Sequence, residues 1–405
     1  MTIRINTMLI FCLGLAFTVF YDLLLRLLPA VYVITPTTQA PRHFFSIWLA
    51  IILSLYIMAT EGMKPIKNKA ILVLFAFLFL SIHLAPYYPI EINGVDSSNF
   101  WVWKTMFQFM CFFMMYCTFQ GVHFSKEDSK KLILCLQTCA IILSVYACFQ
   151  ALGVEQFFAE KSEEIIGNPS EPNVVGVFGN ATILGSFLVL LLPFLALFKK
   201  FKTGVIVLIA IFLTKSEVAI YTALFLSGIF FFLNKPSKKS ILITLSTIVL
   251  IAGISVPILL KNKKDFLNVN GRVHVWKQVV KELSYQRHGL SGAPSAFTGV
   301  GPGSYAYITR HSKDLQWYRV HNEPLEVTYM LGYIGFGLFL LTLWFSVDVR
   351  HFFVSNPFYQ ACFLSFFSSL IMSLGTFVWQ MSPHNLLCVF TFAMINNESL
   401  KRNKL

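Results

Sequence analysis

The residues best suited to chemistry lie in one polar run, GVGPGSYAYITRHSKDLQWYRVHNEPLEV, which covers residues 299–327. This run contains the imidazole of His321 and the guanidinium groups of Arg310 and Arg319. An imidazole titrates near neutral pH, and a guanidinium holds anionic oxygens in a planar fork. A lone histidine at a membrane interface is more often structural than catalytic. The nearby arginines favour the catalytic interpretation, so His321 is a candidate catalytic residue.

The wider segment around this run is strongly cationic. Between residues 261 and 322 three acidic residues oppose ten cations, which are Lys261, Lys263, Lys264, Arg272, Lys277, Lys281, Arg287, Arg310, Lys313 and Arg319. Such a cluster favours an anionic ligand. The alternative, which the sequence leaves open, is that a long loop is translocated across a membrane whatever its charge.

The rest of the chain must position these residues, and it is mostly apolar. Of its 405 residues, 56% are hydrophobic and only 13% are charged, and the mean hydropathy is +0.67. Apolar stretches of about 20 residues can each cross the hydrocarbon core of a bilayer. The sequence therefore predicts an all-α polytopic membrane protein with about twelve transmembrane helices. The predicted spans are 8–30, 44–60, 70–86, 100–121, 132–152, 178–198, 203–214, 218–233, 240–260, 325–347, 357–377 and 384–396.

The distribution of charge predicts the orientation of these helices. With a cytoplasmic N-terminus, the cytoplasmic segments carry 17 cations and the short loops on the other side carry three. This bias follows the positive-inside rule and predicts that both termini are cytoplasmic. The net charge of +13 is then mainly a topology signal, and no nucleic-acid partner is expected. The predicted organisation is helices one to nine in residues 1–260, a large outer loop in 261–324, and helices ten to twelve with a cytoplasmic tail in 325–405.

Local patterns within the loop predict three structural features. Val273, Trp276, Val280 and Leu283 recur at helical spacing and predict an amphipathic helix on the outer membrane surface, with Trp276 at headgroup depth. The glycines of GVGPG, including Gly301 and Gly303, predict a tight turn whose backbone N–H groups could line an anion site. Asn322 is a suitable N-cap for the tenth span.

Several segments resemble, in order, the O-antigen ligase and O-antigen polymerase family of bacterial envelope glycosyltransferases. They are GVFGNATILGSFLVLLLP (176–193), Arg272 followed by Trp276, FTGVGPGSY (297–305) and VHNEPLEVTYMLGYIG (320–335). The resemblance covers roughly residues 165–340, and elsewhere only the predicted topology agrees. It implies a GT-C-like membrane fold in the bacterial inner membrane, with the large loop between helices nine and ten on the periplasmic side.

The resemblance also implies an activity and roles for individual residues. Family members transfer a glycan from a polyprenyl diphosphate carrier to an acceptor hydroxyl. His321 is then the expected general base, and Arg272 and Arg319 are expected to bind the diphosphate, with Arg310 as a weaker candidate. Asn322, Gly301, Gly303 and Trp276 are expected to support the site. No metal or other cofactor is expected, because the chain has no D-x-D motif for a metal-bound nucleotide sugar.

One position departs from the family pattern. Where the family commonly has Ser-Arg-Gly-Ala, this chain reads Lys-Ser-Glu-Val-Ala, so that Glu217 stands at the place of a phosphate-binding arginine. A carboxylate there would repel the donor unless it is paired or protonated. Lys215 is two residues away and is expected to bind the diphosphate instead, although a lysine is not equivalent to an arginine.

Alternatives remain open at the level of the acceptor and of the functional class. The expected acceptor is a lipid A-core type sugar hydroxyl, as for a ligase, whereas a polymerase would use the end of another carrier-linked glycan. Transfer to a protein hydroxyl is a third possibility within the family. A lipid-linked oligosaccharide flippase is the alternative from another class, and Asp22 and Arg26 are the only oppositely charged pair seen within a predicted span.

Overall fold

The computed structural model of the chain is built almost entirely from helices. It describes residues 7–26, 39–61, 69–84, 91–92, 95–96, 98–120, 122, 125–154, 174–178, 180–198, 200–233, 272–284, 295–301, 320–347, 352, 356–381 and 383–402. The predicted ninth span (240–260) lies outside these residues. A helix overlaps each of the other predicted spans, whereas the count of twelve and the domain boundaries remain predictions.

The described helices follow one another along the chain, with one short strand pair between the third and the fourth. They are α1 (Thr7–Arg26), α2 (Gln39–Glu61), α3 (Lys69–Leu84), α4 (Ser98–Phe119), α5 (Lys126–Ala151), α6 (Ala181–Leu197), α7 (Phe201–Leu213), α8 (Glu217–Leu233), α9 (Arg272–Ser284), α10 (Ser295–Thr298), α11 (Glu323–Ser346), α12 (Pro357–Ser373) and α13 (His384–Arg402). The antiparallel pair joins β1 (Glu91–Ile92) to β2 (Val95–Asp96).

The composition of the helices and of their surface is that of a helical membrane protein. By length and composition, α5 and α11 could cross a bilayer, and seven shorter apolar helical segments accompany them. Large apolar side chains point outward, among them Leu134, Trp344 and Phe345, which are 65%, 79% and 63% exposed. Water would make such a surface unfavourable, whereas lipid chains would solvate it.

Helix α6 forms the centre of the bundle. Every residue from Ile183 to Leu195 is buried, which is the pattern of a helix packed on all sides. Its neighbours include α5, α7, α8 and α12. Asn180 caps its start by accepting hydrogen bonds from the backbone N–H groups of Thr182 and Ile183. The central helix is therefore fixed both by its cap and by packing around its whole circumference.

Helix α11 is broken at Gly332, where the backbone has φ = +67°. The break leaves carbonyl groups of α11 without helical hydrogen-bond partners, and the glycine turn after α10 provides N–H donors for them. The N–H of Val300 donates to the carbonyl of Tyr329 at 2.9 Å, and the N–H of Gly301 donates to that of Met330 at 3.0 Å. A broken helix is tolerated in a membrane protein only where other groups satisfy its backbone in this way.

We expect Gly332→Ala to destabilise the protein by at least about 2 kcal/mol. The added Cβ would lie 2.2 Å from the carbonyl oxygen of Phe297, and alanine disfavours a positive φ. The measurement is the apparent Tm of the purified protein in detergent. Gly337→Ala is the matched control, because it lies in the same helix and its Cβ would meet nothing within 4 Å. Equal Tm values for the two variants would contradict this account of the break.

The predicted amphipathic helix is confirmed as α9, and Leu283 and Trp276 lie on its packed side as predicted, but the predicted valines are wrong. The buried residues are Val275, Val279 and Leu283, whereas Val280 is 56% exposed. The buried face packs against Val320 and Tyr329. Valines lie on both faces of this helix, so the spacing of apolar residues alone could not show which face is buried. The surface formed by Val320 and Tyr329 determines that Val275 and Val279 are buried.

Candidate functional site

Three segments that are distant in the sequence converge on the turn Leu374–Gly375, which follows α12. The side-chain amide of Asn322 donates to the carbonyl of Leu374 at 3.0 Å, and Nη1 of Arg272 donates to the carbonyl of Gly375 at 2.8 Å. A Cβ on Gly375 would lie only 2.7 Å from Val218, in the first turn of α8. The turn therefore lies against the starts of α9, α11 and α8.

Arg272 is the first residue of α9, and its guanidinium is half-buried. Burial lowers the pKa of Arg272, and the negative charge of Glu217 partly opposes this by raising it. Arginine still keeps its charge in proteins. Its Nε is buried and makes no hydrogen bond to any described residue. The guanidinium thus combines one structural hydrogen bond with further donor capacity.

The α7–α8 connection presents one cation and one anion side by side. Lys215 and Glu217 are both exposed, whereas Ser216 between them is buried. The backbone of Lys215 has φ = +54°, which is uncommon for a residue with a side chain. Glu217 begins α8, where a carboxylate is favoured by the helix dipole. The positive charge of Arg272 and the dipole of α8 both favour the negative charge of this carboxylate.

His321 immediately precedes the start of α11 and is held in an unusual backbone conformation. Its φ is +55°, and its ring packs edge-on against that of Phe377, with centroids 4.8 Å apart. A left-handed conformation in a residue other than glycine costs about 1–3 kcal/mol and persists only where the surroundings enforce it. The structure therefore fixes the direction in which this imidazole leaves the backbone.

Hydrogen bonds on both sides of His321 enforce that conformation. On one side, the carbonyl of Val320 accepts a hydrogen bond from the indole N–H of Trp276 at 3.0 Å. The backbone N–H of Val320 donates to the carboxylate of Glu326 at 3.3 Å. On the other, Asn322 caps α11 by accepting from the N–H of Leu325, which confirms the predicted cap. The indole N–H of Trp276 is thus directed to the His321 segment, and its position at headgroup depth stays a prediction.

Two buried carboxylates support this segment. Glu323 and Glu326 are each 2% exposed. Glu323 accepts a hydrogen bond of 2.6 Å from the backbone N–H of Trp379. Buried carboxylates are rare unless they are hydrogen-bonded. Their presence in so apolar a chain was the available signal that this helix start is specialised.

The glycine turn differs from its prediction as an anion-binding loop. The N–H groups of Val300 and Gly301 are occupied by the carbonyls of the broken helix α11 and cannot bind an anion. Gly299 has φ = +81°, and a Cβ there would lie 2.2 Å from the carbonyl oxygen of Met330. This part of the turn acts as a close backbone contact with α11. Gly303 lies outside the described residues.

The remaining predicted residues fall partly outside the described structure. Arg310 and Arg319 lie outside it, as do the side chains of Asp22 and Arg26, so their predicted roles stay predictions. Among the described residues, no group of three His, Cys, Asp or Glu side chains could hold a metal ion. Whether the reaction uses a metal also stays a prediction.

The sequence contains a second His-Asn pair besides His321–Asn322. This pair, His384–Asn385, is buried in the core. His384 is fully buried and shares a 2.9 Å hydrogen bond with the hydroxyl of Ser186. Asn385 lies inside the first turn of α13, which begins at His384, and so does not cap this helix. His384 is therefore held in the core against α6.

Comparison with known families supports the resemblance drawn from the motifs. Residues 203–340 match the family model described as O-Antigen ligase. This segment includes Lys215, Glu217, Arg272 and His321, and it begins after the 176–193 motif that also carried the resemblance. No curated protein matches the chain. The match confirms the resemblance to the O-antigen ligase and polymerase family over this segment.

Proposed function

We propose that the protein is an O-antigen ligase-like glycosyltransferase that moves a glycan from a polyprenyl diphosphate carrier to a sugar hydroxyl of a lipid A-core type acceptor. The observation that carries the proposal is the convergence of Arg272, Asn322 and Val218 on the Leu374–Gly375 turn. His321 precedes Asn322 in the chain, and the Lys215–Glu217 connection precedes Val218. All of the converging side chains except those of the turn itself belong to the segment that matches the family.

The reaction requires a base and a group that stabilises the leaving diphosphate. The acceptor hydroxyl attacks the anomeric carbon of the donor glycan while the bond from that carbon to the diphosphate oxygen breaks. His321 takes the hydroxyl proton, a new glycosidic bond forms, and the polyprenyl diphosphate leaves with the bonding electron pair. An imidazole suits proton removal near neutral pH. The fixed backbone at His321 would orient the base before the substrates arrive.

Arg272 is the described residue best placed to bind the diphosphate. Its hydrogen bond to Gly375 holds the guanidinium in position, and its buried Nε retains a donor. In a partly dehydrated site, a fixed guanidinium stabilises the charge that develops on the leaving group. Lys215, which is exposed in the α7–α8 connection, adds a second cation. Arg319 and Arg310 complete the proposed set of phosphate-binding residues.

Glu217 is compatible with this arrangement because of its neighbours. Its negative charge raises the pKa of Arg272, and so favours the charged form of that guanidinium. As the first residue of α8 it is also stabilised by the helix dipole. We propose that Glu217 acts on Arg272 and that Lys215 supplies the positive charge at the connection.

The proposed location follows from the same family and from the charge distribution. The protein would lie in the bacterial inner membrane with both termini in the cytoplasm and its large loop in the periplasm. Its substrates would be the lipid-linked glycan donor and an acceptor glycan on a lipid core, with the bilayer as its solvent. No cofactor takes part in the proposed mechanism.

The test is a transfer assay in membranes that contain a polyprenyl-diphosphate-linked glycan, with both acceptor types offered. Transfer to the lipid A-core acceptor would support the ligase proposal, whereas extension of the carrier-linked glycan would assign the alternative, a polymerase. If expressed protein transfers glycan to neither acceptor but moves the donor across the bilayer in a flippase assay, the proposal is overturned.

We expect Lys215→Ala to reduce transfer roughly tenfold, since it removes one charged contact to the diphosphate. The measurement is initial transfer rate at subsaturating donor, normalised to protein amount. Lys202→Ala is the control, because Lys202 is also exposed but lies at the opposite end of α7. If Lys215→Ala retains the full rate, lysine does not replace the missing arginine.

A further inference from the structure

An apolar cavity of about 190 Å³ lies between two pairs of helices. One pair is α3 packed on α11, the other is α4 packed on α13, and the pairs contact each other only sparsely. The walls are almost wholly aliphatic and aromatic, with Leu74, Leu78 and Leu331 on one side and Phe109 and Phe392 on the other. Such a lining would accept a hydrocarbon chain and no charged group.

The cavity extends away from the Trp379 region towards the opposite end of the bundle. Asn385 and Trp379 line one end, and Tyr116 and Phe392, whose rings stack 5.3 Å apart, line the other. Asn385 and Phe392 are two turns apart on α13, which corresponds to roughly 10 Å along the helix axis. Some of the residues that line the cavity, including Phe112 and Phe339, are partly exposed on the surface of the described structure.

One polar group at the Trp379 end has no hydrogen-bond partner among the described residues. Asn385 is 1% exposed, and its Oδ1 accepts a 2.7 Å hydrogen bond from the N–H of Leu386, which fixes the orientation of the amide. Its Nδ2 is buried and makes no hydrogen bond to the described chain. Buried amide donors almost always have a partner. A donor of this kind in the wall of an apolar cavity indicates a ligand that offers one acceptor.

We infer that this cavity binds an acyl chain of a bilayer phospholipid, with the ester carbonyl of the lipid accepting a hydrogen bond from Nδ2 of Asn385. An acyl ester places a single acceptor at the head of a long apolar chain, which is the pattern of the cavity. A polyprenyl chain has an acceptor only at its phosphate, and among the described residues no cation lines the cavity to bind one. The inference about this cavity does not depend on the proposed function.

The test uses the full-length wild-type protein, delipidated in detergent and then offered two synthetic phospholipids of equal chain length. One has ester-linked chains and the other has ether-linked chains, which lack the carbonyl oxygen. Bound lipid is counted by native mass spectrometry. We expect about one ester lipid to be retained per chain, with a preference over the ether lipid of about fivefold, as for the loss of one hydrogen bond.

Two variants test the location of the lipid. Asn385→Leu keeps the branching of the side chain at Cγ and its number of heavy atoms, and it is expected to remove the preference for ester over ether lipid. Leu74→Trp fills the cavity and should abolish retention of both. Leu134→Trp, on the exposed face of α5, is the control and should behave as wild type. Equal retention of ester and ether lipid by the wild type, or full retention by Leu74→Trp, would overturn the inference. So would a retained lipid that proves to be a polyprenyl phosphate, or a wild type that retains no lipid.

Discussion

Replacing His321 with asparagine is expected to lower the rate of glycan transfer by about 10²–10⁴-fold, the usual contribution of a general base. Asparagine tolerates the left-handed backbone conformation that His321 adopts at φ = +55°, so this variant removes the imidazole with little added strain. It also leaves the hydrogen bonds to Val320 and Asn322 available. The measurement is kcat in membranes that contain donor and acceptor at saturating concentrations.

A second substitution separates the base from the backbone. His321→Gly should lose activity to the same extent as His321→Asn, because both lack an imidazole, although glycine relieves the backbone strain and should not lower the apparent Tm. Equal expression of both variants is confirmed before rates are compared. Activity within threefold of wild type in His321→Asn would show that the residue only begins α11, and the proposed mechanism would fail.

Replacing Arg272 with alanine is expected to lower transfer by about 10²–10³-fold, in line with the loss of about 2.7–4 kcal/mol of transition-state stabilisation. The reason is that its guanidinium is fixed by Gly375 and retains a free buried donor for the leaving diphosphate. Arg272→Lys should also be strongly impaired, because an ammonium group cannot form two parallel hydrogen bonds. The measurement is kcat/KM for the lipid-linked donor.

Arg272 also joins α9 to the turn after α12, so a loss of activity could arise from loss of structure. Lys277→Ala is the matched control, since Lys277 is an exposed cation on the same helix, and it should retain wild-type activity. The apparent Tm of each variant distinguishes the two effects. If Arg272→Ala transfers normally, or if its loss of rate is matched by a Tm far below that of Lys277→Ala, Arg272 is structural.

Glu217 links these predictions, because it acts on the same guanidinium. Its charge raises the pKa of Arg272, and it lies next to the turn that Arg272 binds. The sequence alone made this carboxylate an obstacle to binding a diphosphate. In the structure its charge favours the charged form of Arg272, and we propose that it thereby supports binding of an anion.

Local features of the sequence determined the elements and several of their ends. The apolar stretches anticipated each described long helix of the bundle, because a run of about 20 apolar residues is interpretable without knowledge of its neighbours. Asn322 identified the start of α11, since an N-cap acts within three residues of itself. Helical spacing likewise predicted α9.

Only the tertiary structure decided which faces and groups those elements use. The choice of Val275 and Val279 over Val273 and Val280 depends on the surface against which α9 packs. The amides of the glycine turn were expected to be available for an anion, but the break at Gly332 in α11 occupies them.

Arg272, Asn322 and the start of α8 converge on one turn. Two of these contacts, from Arg272 and from Val218 to Gly375, join residues that are about a hundred positions or more apart in the sequence. Periodicity and caps describe a helix and its immediate ends, and they carry no information about which distant segment will be adjacent. Packing determines these contacts, and the candidate site consists of them.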